Sequence, residues 1–121
     1  MILHLDDLEP GTLRGGRIWL DFGDEHFPEE GWYDLPGILL ETWLPALQSF
    51  ADGHTDICKL FFMDGPYAFR LCRSGEKVSV ICTERGRTVL ERQVDFPGFQ
   101  DSVNKCVRYY ERMQYLSSKV M

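Results

Sequence analysis

Residues 57–94 read ICKLFFMDGPYAFRLCRSGEKVSVICTERGRTVLERQV, and this stretch decides the fold class. Four strand-like runs, Ile57 to Met63, Tyr67 to Cys72, Lys77 to Thr83 and Thr88 to Val94, are separated by Asp64-Gly65-Pro66, Ser74-Gly75 and Arg85-Gly86. Each separator supplies a glycine able to take the positive φ of a tight turn. Short apolar runs at regular spacing, with turn chemistry between them, read as an antiparallel meander. Tyr67, Phe69 and Leu71 face one way, as do Val78, Val80 and Cys82, while Ala68, Arg70, Lys77 and Ser79 take the other face. A sheet that is apolar on one side needs a covering layer, and helices are expected there.

The flanks supply those helices. From Leu35 the period changes: Leu39, Leu40, Trp43, Leu44, Leu47 and Phe50 recur every three or four residues, the stripe of an amphipathic helix. Asp34 is well placed to cap it, and Pro36 is tolerated where first-turn amides lack intrahelical partners. Pro45 forfeits a hydrogen bond and clashes with the Glu41 carbonyl, at a cost of ~3 kcal/mol unless the helix bends. A kink or two short helices are therefore expected near Thr42 to Pro45. On the C-terminal side Asp95-Phe96-Pro97-Gly98 leads into Phe99, Val103, Cys106, Val107, Tyr110 and Met113 at helical spacing, with Asp101 as an alternative cap. This helix is expected to lie on the sheet.

Upstream, residues 1 to 5 alternate loosely as a short edge strand, and Asp6 to Gly16 reads as a loop. Arg17 to Phe22 alternates Ile18, Leu20 and Phe22 against Arg17, Trp19 and Asp21, the period of a half-buried strand that should enter the sheet. Gly23 to Asp34 carries too many charges and turn formers for a regular element. The expected fold class is α+β: an antiparallel meander packed by two helices in one domain of 121 residues.

Charge is unevenly spread. Residues 1–52 hold 11 Asp+Glu against Arg14 and Arg17, a net of −9; the remainder holds 11 Lys+Arg against 8 Asp+Glu, a net of +3, and the two sum to −6. Six of the acids, Asp21, Asp24, Glu25, Glu29, Glu30 and Asp34, lie between residues 21 and 34. Such a concentration suits a basic partner or plain solvation. The meander's basic residues, Arg70, Arg73, Lys77, Arg85, Arg87 and Arg92, suggest a nucleic-acid face, but a pI of 5.0 opposes a polyanion. A solvated polar face and no nucleic-acid partner are expected.

No apolar run approaches the ~20 residues of a membrane helix, and the N-terminus lacks the basic leader and apolar core of an export signal. A cytoplasmic location is expected. Cys58, Cys72, Cys82 and Cys106 form no CxxC pair and read as buried reduced thiols rather than zinc ligands or disulfides. Asp24, Glu25 and His26, with Asp21 nearby, have the residue types of a metal or hydrolytic site. Their spacing matches neither HExxH nor DxDxDG nor a deaminase pattern. A Cys58 or Cys82 nucleophile with His26 or His54 lacks a nucleophile motif and sits in a predicted strand. No catalytic residue, cofactor or metal is assigned.

The segments Phe27-Pro28-Glu29-Glu30-Gly31-Trp32-Tyr33-Asp34 and Phe61-Phe62-Met63-Asp64-Gly65-Pro66-Tyr67 resemble a family of small bacterial proteins with FPxxGWxD and FMDGPY motifs. In shape and acidity the chain is similar to immunity proteins of polymorphic toxins. The resemblance spans residues 17 to 72. It implies a cytosolic protein that binds and occludes a cognate toxin with a basic surface, without chemistry of its own. Asp24, Glu25, Glu29, Glu30, Trp32 and Tyr33 are the expected contact surface, with apolar anchors among steering charges. A metal-dependent or hydrolytic enzyme using Asp24, Glu25 and His26, and a self-associating structural or regulatory subunit, stand as alternatives.

Overall fold

The computed structural model describes residues 1–9 and 15–120. The fold is α+β, with two helices and two antiparallel sheets of four strands each among the described residues. The chain divides into two compact units, one of Met1–Gly37 with Phe96–Met121, the other Ile38–Asp95. The strand at Arg17 does not join the meander as expected; it organises a separate sheet. The loop expected over Asp6 to Gly16 falls partly outside the described residues, and Asp6 itself closes a strand.

In the first unit β1 (Ile2–Asp6) pairs antiparallel with β2 (Gly16–Asp21), Leu3 opposite Leu20 and His4 opposite Trp19. On its other edge β2 pairs with two strands of two residues each, β3 (His26–Phe27) and β4 (Tyr33–Asp34). The segment expected to be irregular thus runs back along β2 as an interrupted strand. Alternation sorts the faces: Leu3, Ile18, Leu20 and Phe27 are buried, whereas Trp19 and His4 stack on the opposite face with ring centroids 5.1 Å apart. The C-terminal helix, α2 (Phe96–Val120), covers the apolar face with Phe99, Val103 and Cys106. The Leu3 N–H donates to Ser102 Oγ at 2.9 Å, and Cys106 Sγ donates to the Leu3 carbonyl at 3.3 Å. Two backbone groups of β1 are so satisfied by helix side chains.

Helix α1 (Pro36–Ala51) begins at the end of the first unit and runs into the second. It is a single helix through Pro45, not two short ones; Thr42 Oγ1 donates to the Ile38 carbonyl at 2.8 Å. Its C-terminus closes on Gly53 at φ +79°, where the His54 and Gly53 amides donate to the Ser49 and Phe50 carbonyls. Glycine relieves the left-handed position, and the two bonds satisfy carbonyls that the last turn would strand.

The meander forms as read: β5 (Ile57–Phe61), β6 (Tyr67–Ser74), β7 (Lys77–Glu84) and β8 (Arg87–Val94), in that order and all antiparallel. Register places Leu60, Phe69, Cys82 and Leu90 in one row and Cys58, Leu71, Val80 and Arg92 in the next. This face packs on α1. Trp43 meets Phe62 and Phe69 edge-on at 5.2 and 5.3 Å, and its Nε1–H donates to the Phe61 carbonyl at 2.9 Å. Beyond Cys82 the register slips, leaving Val89 as an extra residue in a bulge of β8. Arg85 and Gly86 both have positive φ in the β7–β8 turn, the geometry that matches the twist of a two-residue hairpin.

The opposite face is not the solvated polar surface expected. Ile57 and Phe61 are 59% and 56% exposed, with Lys59 Nζ 5.0 Å from the Phe61 ring centre. Nor do the basic residues form one face. Arg70 lies in the open-face row with Lys59 and Ile81, whereas Arg73 pairs with Val78 on the core side. Its guanidinium donates to the Phe50 carbonyl at 2.8 Å and the Thr55 carbonyl at 3.2 Å, and lies 4.0 Å from the Phe50 ring centre. A half-buried cation thus meets the negative end of α1, where the helix dipole favours it.

Arg73→Ala is expected to destabilise the protein by about 2 kcal/mol in urea unfolding, since charge-assisted bonds to helix-end carbonyls are lost. Lysine restores less than half, lacking the planar fork. Arg85→Asn is expected to stabilise by ~0.5–1 kcal/mol in the same assay, because asparagine tolerates the left-handed conformation better.

Candidate functional site

The acidic segment takes its shape from β2. Phe22 N–H donates to the Glu25 carbonyl at 2.8 Å, so Gly23 and Asp24 form a turn, and Gly23 has a φ of +91°. After β3 the chain leaves the sheet at the cis Phe27–Pro28 peptide. It turns again where the Trp32 amide donates to the Glu29 carbonyl at 3.1 Å. The Trp32 carbonyl then accepts the Ile18 N–H at 2.7 Å, returning the chain to β2 before β4. Two acidic turns result, Asp24–Glu25 and Glu29–Glu30, with all four side chains exposed.

Arg17 fastens the second turn. Its Nη1–H donates to the Gly31 carbonyl at 2.7 Å, and its Nε–H to Asp7 Oδ2 at 3.2 Å. Gly31 has a φ of +72°, a conformation that favours glycine. Among the described residues no ion pair engages Glu29 or Glu30.

The two aromatic members differ. Trp32 is half-buried, and its Nε1–H donates to Asp34 Oδ2 at 2.9 Å. Tyr33 is exposed, and its hydroxyl donates to the Glu9 carboxylate, which holds the phenol above its usual pKa. Asp34 is withdrawn from the acidic surface. Only 2% exposed, it accepts the Leu35 N–H at 2.7 Å besides the indole, so this carboxyl ties down the chain immediately ahead of α1. Of the expected contact residues, Asp24, Glu25, Glu29, Glu30 and Tyr33 are exposed, and Trp32 is half-buried with its N–H engaged.

Asp21 does something the sequence did not announce. Its Oδ2 is 2.9 Å from His4 Nε2, and its Oδ1 accepts the Gly23 amide at 2.7 Å and lies 3.8 Å from His26 Nδ1. The Gly23 amide, followed by the His4 bond, holds the Asp21 carboxyl below its ordinary value against the opposing effect of burial. His26 therefore associates with Asp21 across the β2–β3 pair, and its buried Nδ1 has no hydrogen-bond partner. Among the described residues no three His, Cys, Asp or Glu side chains are grouped to hold a metal ion. The cysteines are all free. Burial raises the thiol pKa of Cys58 and pushes those of Cys82 and Cys106 up to about 12, far from the thiolate a nucleophile needs.

No family model, curated protein or solved structure matches the chain. Among the described residues no helix is long and apolar enough to cross a membrane.

Asp34→Ala leaves the indole and Leu35 N–H without their acceptor and is expected to cost ~2–3 kcal/mol in chemical unfolding. Asparagine, which keeps one acceptor oxygen, should cost less. The Asp21 carboxyl, depressed in the folded state, contributes stability that is present above its unfolded value. That contribution disappears as pH falls through the lower folded value. Asp21→Asn is accordingly expected to be less stable than wild type at pH ~6, with the gap closing as pH falls below the ordinary aspartate value of ~3.9.

Proposed function

We propose that this protein acts by binding: it captures a cognate toxin domain with a basic surface and occludes its active site, as immunity proteins of polymorphic toxins do. The observation that carries the reading is the pair of exposed acidic turns, Asp24–Glu25 and Glu29–Glu30, both tied to β2 by backbone bonds. A surface already held in place loses little conformational entropy on docking. Clustered carboxylates raise the encounter rate with a basic partner and disfavour acidic ones. Tyr33, exposed between Arg17 and Glu9, is the aromatic best placed to be covered, and tyrosine is over-represented among residues that carry binding energy. Binding without chemistry needs no activated nucleophile, in keeping with thiols raised by burial. Four free cysteines accord with action in the cytosol.

One observation favours a second reading, self-association through the meander. Ile57 and Phe61 on β5, an outer strand of its sheet, and Met63 just beyond it expose large apolar side chains. A concentration-dependent mass in light scattering that Phe61→Glu abolishes is the expected sign, and a constant monomer mass removes this reading.

For toxin capture, the protein is mixed with the product of the neighbouring toxin gene and with unrelated toxins. A complex with the neighbour alone is expected. Neutralising Asp24, Glu25, Glu29 and Glu30 together, as Asn and Gln, should slow association about tenfold or more at low salt and little at high salt. No complex, or an association rate unchanged by the four substitutions, overturns the proposal.

A further inference from the structure

Helix α2 carries a second stripe alongside the one it buries. Lys105, Arg108, Tyr109 and Arg112, at i, i+3, i+4 and i+7, line a surface groove of about 430 Å³. Residues at these spacings share one face of a helix. The groove adjoins another of about 470 Å³ between β1 and α2, with Lys105 and Tyr109 common to both. Further along the helix Tyr115 and Leu116 are 56% and 48% exposed, and Lys119 Nζ lies 4.8 Å from the Tyr115 ring centre.

The charges on this stripe have no local cause. Among the described residues no carboxylate lies within ion-pair distance of Lys105, Arg108 or Arg112, although Asp101 stands one turn before Lys105 and Glu111 beside Arg112. Arg108 and Arg112 are like charges at i and i+4, which weakens a helix. The unit that contains them has 11 Asp+Glu against 6 Lys+Arg, a net of −5. Three cations, none within ion-pair distance of a carboxylate among the described residues, thus stand on an otherwise acidic unit.

We infer that the α2 stripe is a docking surface for an acidic amphipathic protein segment, one that carries carboxylates beside apolar side chains. Two properties select this occupant. Arginines and a lysine interleaved with Tyr109, Tyr115 and Leu116 offer both charge and apolar area, the combination enriched where proteins bind one another. A second copy of the chain is disfavoured, because a two-fold pairing of the stripe sets cations against cations in parallel or antiparallel register. A long nucleic acid meets the net charge of the whole chain, −6, which opposes a polyanion that extends beyond the stripe. The surface is distinct in sign and place from the acidic turns and does not depend on the toxin reading.

The test uses the full chain, labelled with nitrogen-15, and peptides of about three heptads with Leu at the buried positions and Glu at the flanking ones. The Glu peptide is expected to shift amide signals of residues 105–116. Arg108→Glu with Arg112→Glu should weaken binding about tenfold or more, with an unchanged circular dichroism spectrum showing that the helix is retained. Salt at about 0.5 M should weaken it similarly. The same peptide with Lys for Glu should leave these signals in place. No shift with the Glu peptide, equal shifts at residues 105–116 with the Lys peptide, or undiminished binding by the double variant overturns the inference. A single-stranded oligonucleotide that binds residues 105–116 more tightly than the Glu peptide assigns the stripe to nucleic acid and overturns it too.

Discussion

A carboxyl group taken out of water destabilises a fold unless donors meet it inside. The Asp34 carboxyl accepts from the Trp32 indole and the Leu35 amide. Through them one side chain connects the last residues of the acidic segment to the chain that starts α1. Opposite Asp34 in the ladder is Gly16, where an added Cβ would come within 3.0 Å of Leu8 and 3.2 Å of Pro36. A side chain at this position would press on Leu8 and on the helix start, each of which would have to give by a few tenths of an ångström. With that junction closed, β2 gains a partner on its second edge, and both acidic turns acquire fixed ends. The surface chemistry of the first unit thus rests on a buried polar contact that contributes nothing to the surface itself.

The meander was legible because its information is local: four runs of alternating residues, separated by three glycine turns, specify pairing between neighbours in sequence. The same holds for the buried stripes of α1 and α2. The first sheet was not legible. His26–Phe27 and Tyr33–Asp34 are too short to show a period, and their pairing with β2 depends on Arg17, Gly31 and backbone bonds that no pattern of apolar residues encodes. Arg73 is within reach of the sequence, since parity with Phe69 and Leu71 places it on the core face, but a charge in a strand gives no sign of a partner at a helix end. The cations of α2 follow the same i, i+3, i+4, i+7 spacing as the apolar stripe, but a search for apolar periodicity passes over them. Of the candidate site, the carboxylates were readable as a group. Their division into two turns, the removal of Asp34 and the capture of Asp21 by His4 and His26 needed the ladder register.

Folding also redistributes charge. Split by sequence, the chain has an acidic first part and a basic remainder; split by compact unit, −5 falls on the unit of β1–β4 and α2, and 8 Asp+Glu against 7 Lys+Arg leave −1 on the other. The basic remainder is not one surface. Arg73 is held at a helix end, Arg85 sits in a turn with Arg87 just after it, and the cations of α2 return to the acidic unit. Acidic turns and a cationic helix stripe therefore belong to the same unit, so its field has two signs although its total has one. Opposite fields of this kind select the orientation of a partner more than the strength of its binding.

The bulge at Val89 bears on how the protein behaves when concentrated. An outer strand as long as β8 presents unpaired backbone groups, on which another chain's strand can template. The extra residue breaks the regular spacing of those groups and increases the local twist, and Arg87, Glu91 and Arg92 put charge along the same strand. Straightening β8 by deleting Val89 would restore a continuous hydrogen-bonding edge, and with it a route to fibrous aggregation that the irregular strand now obstructs.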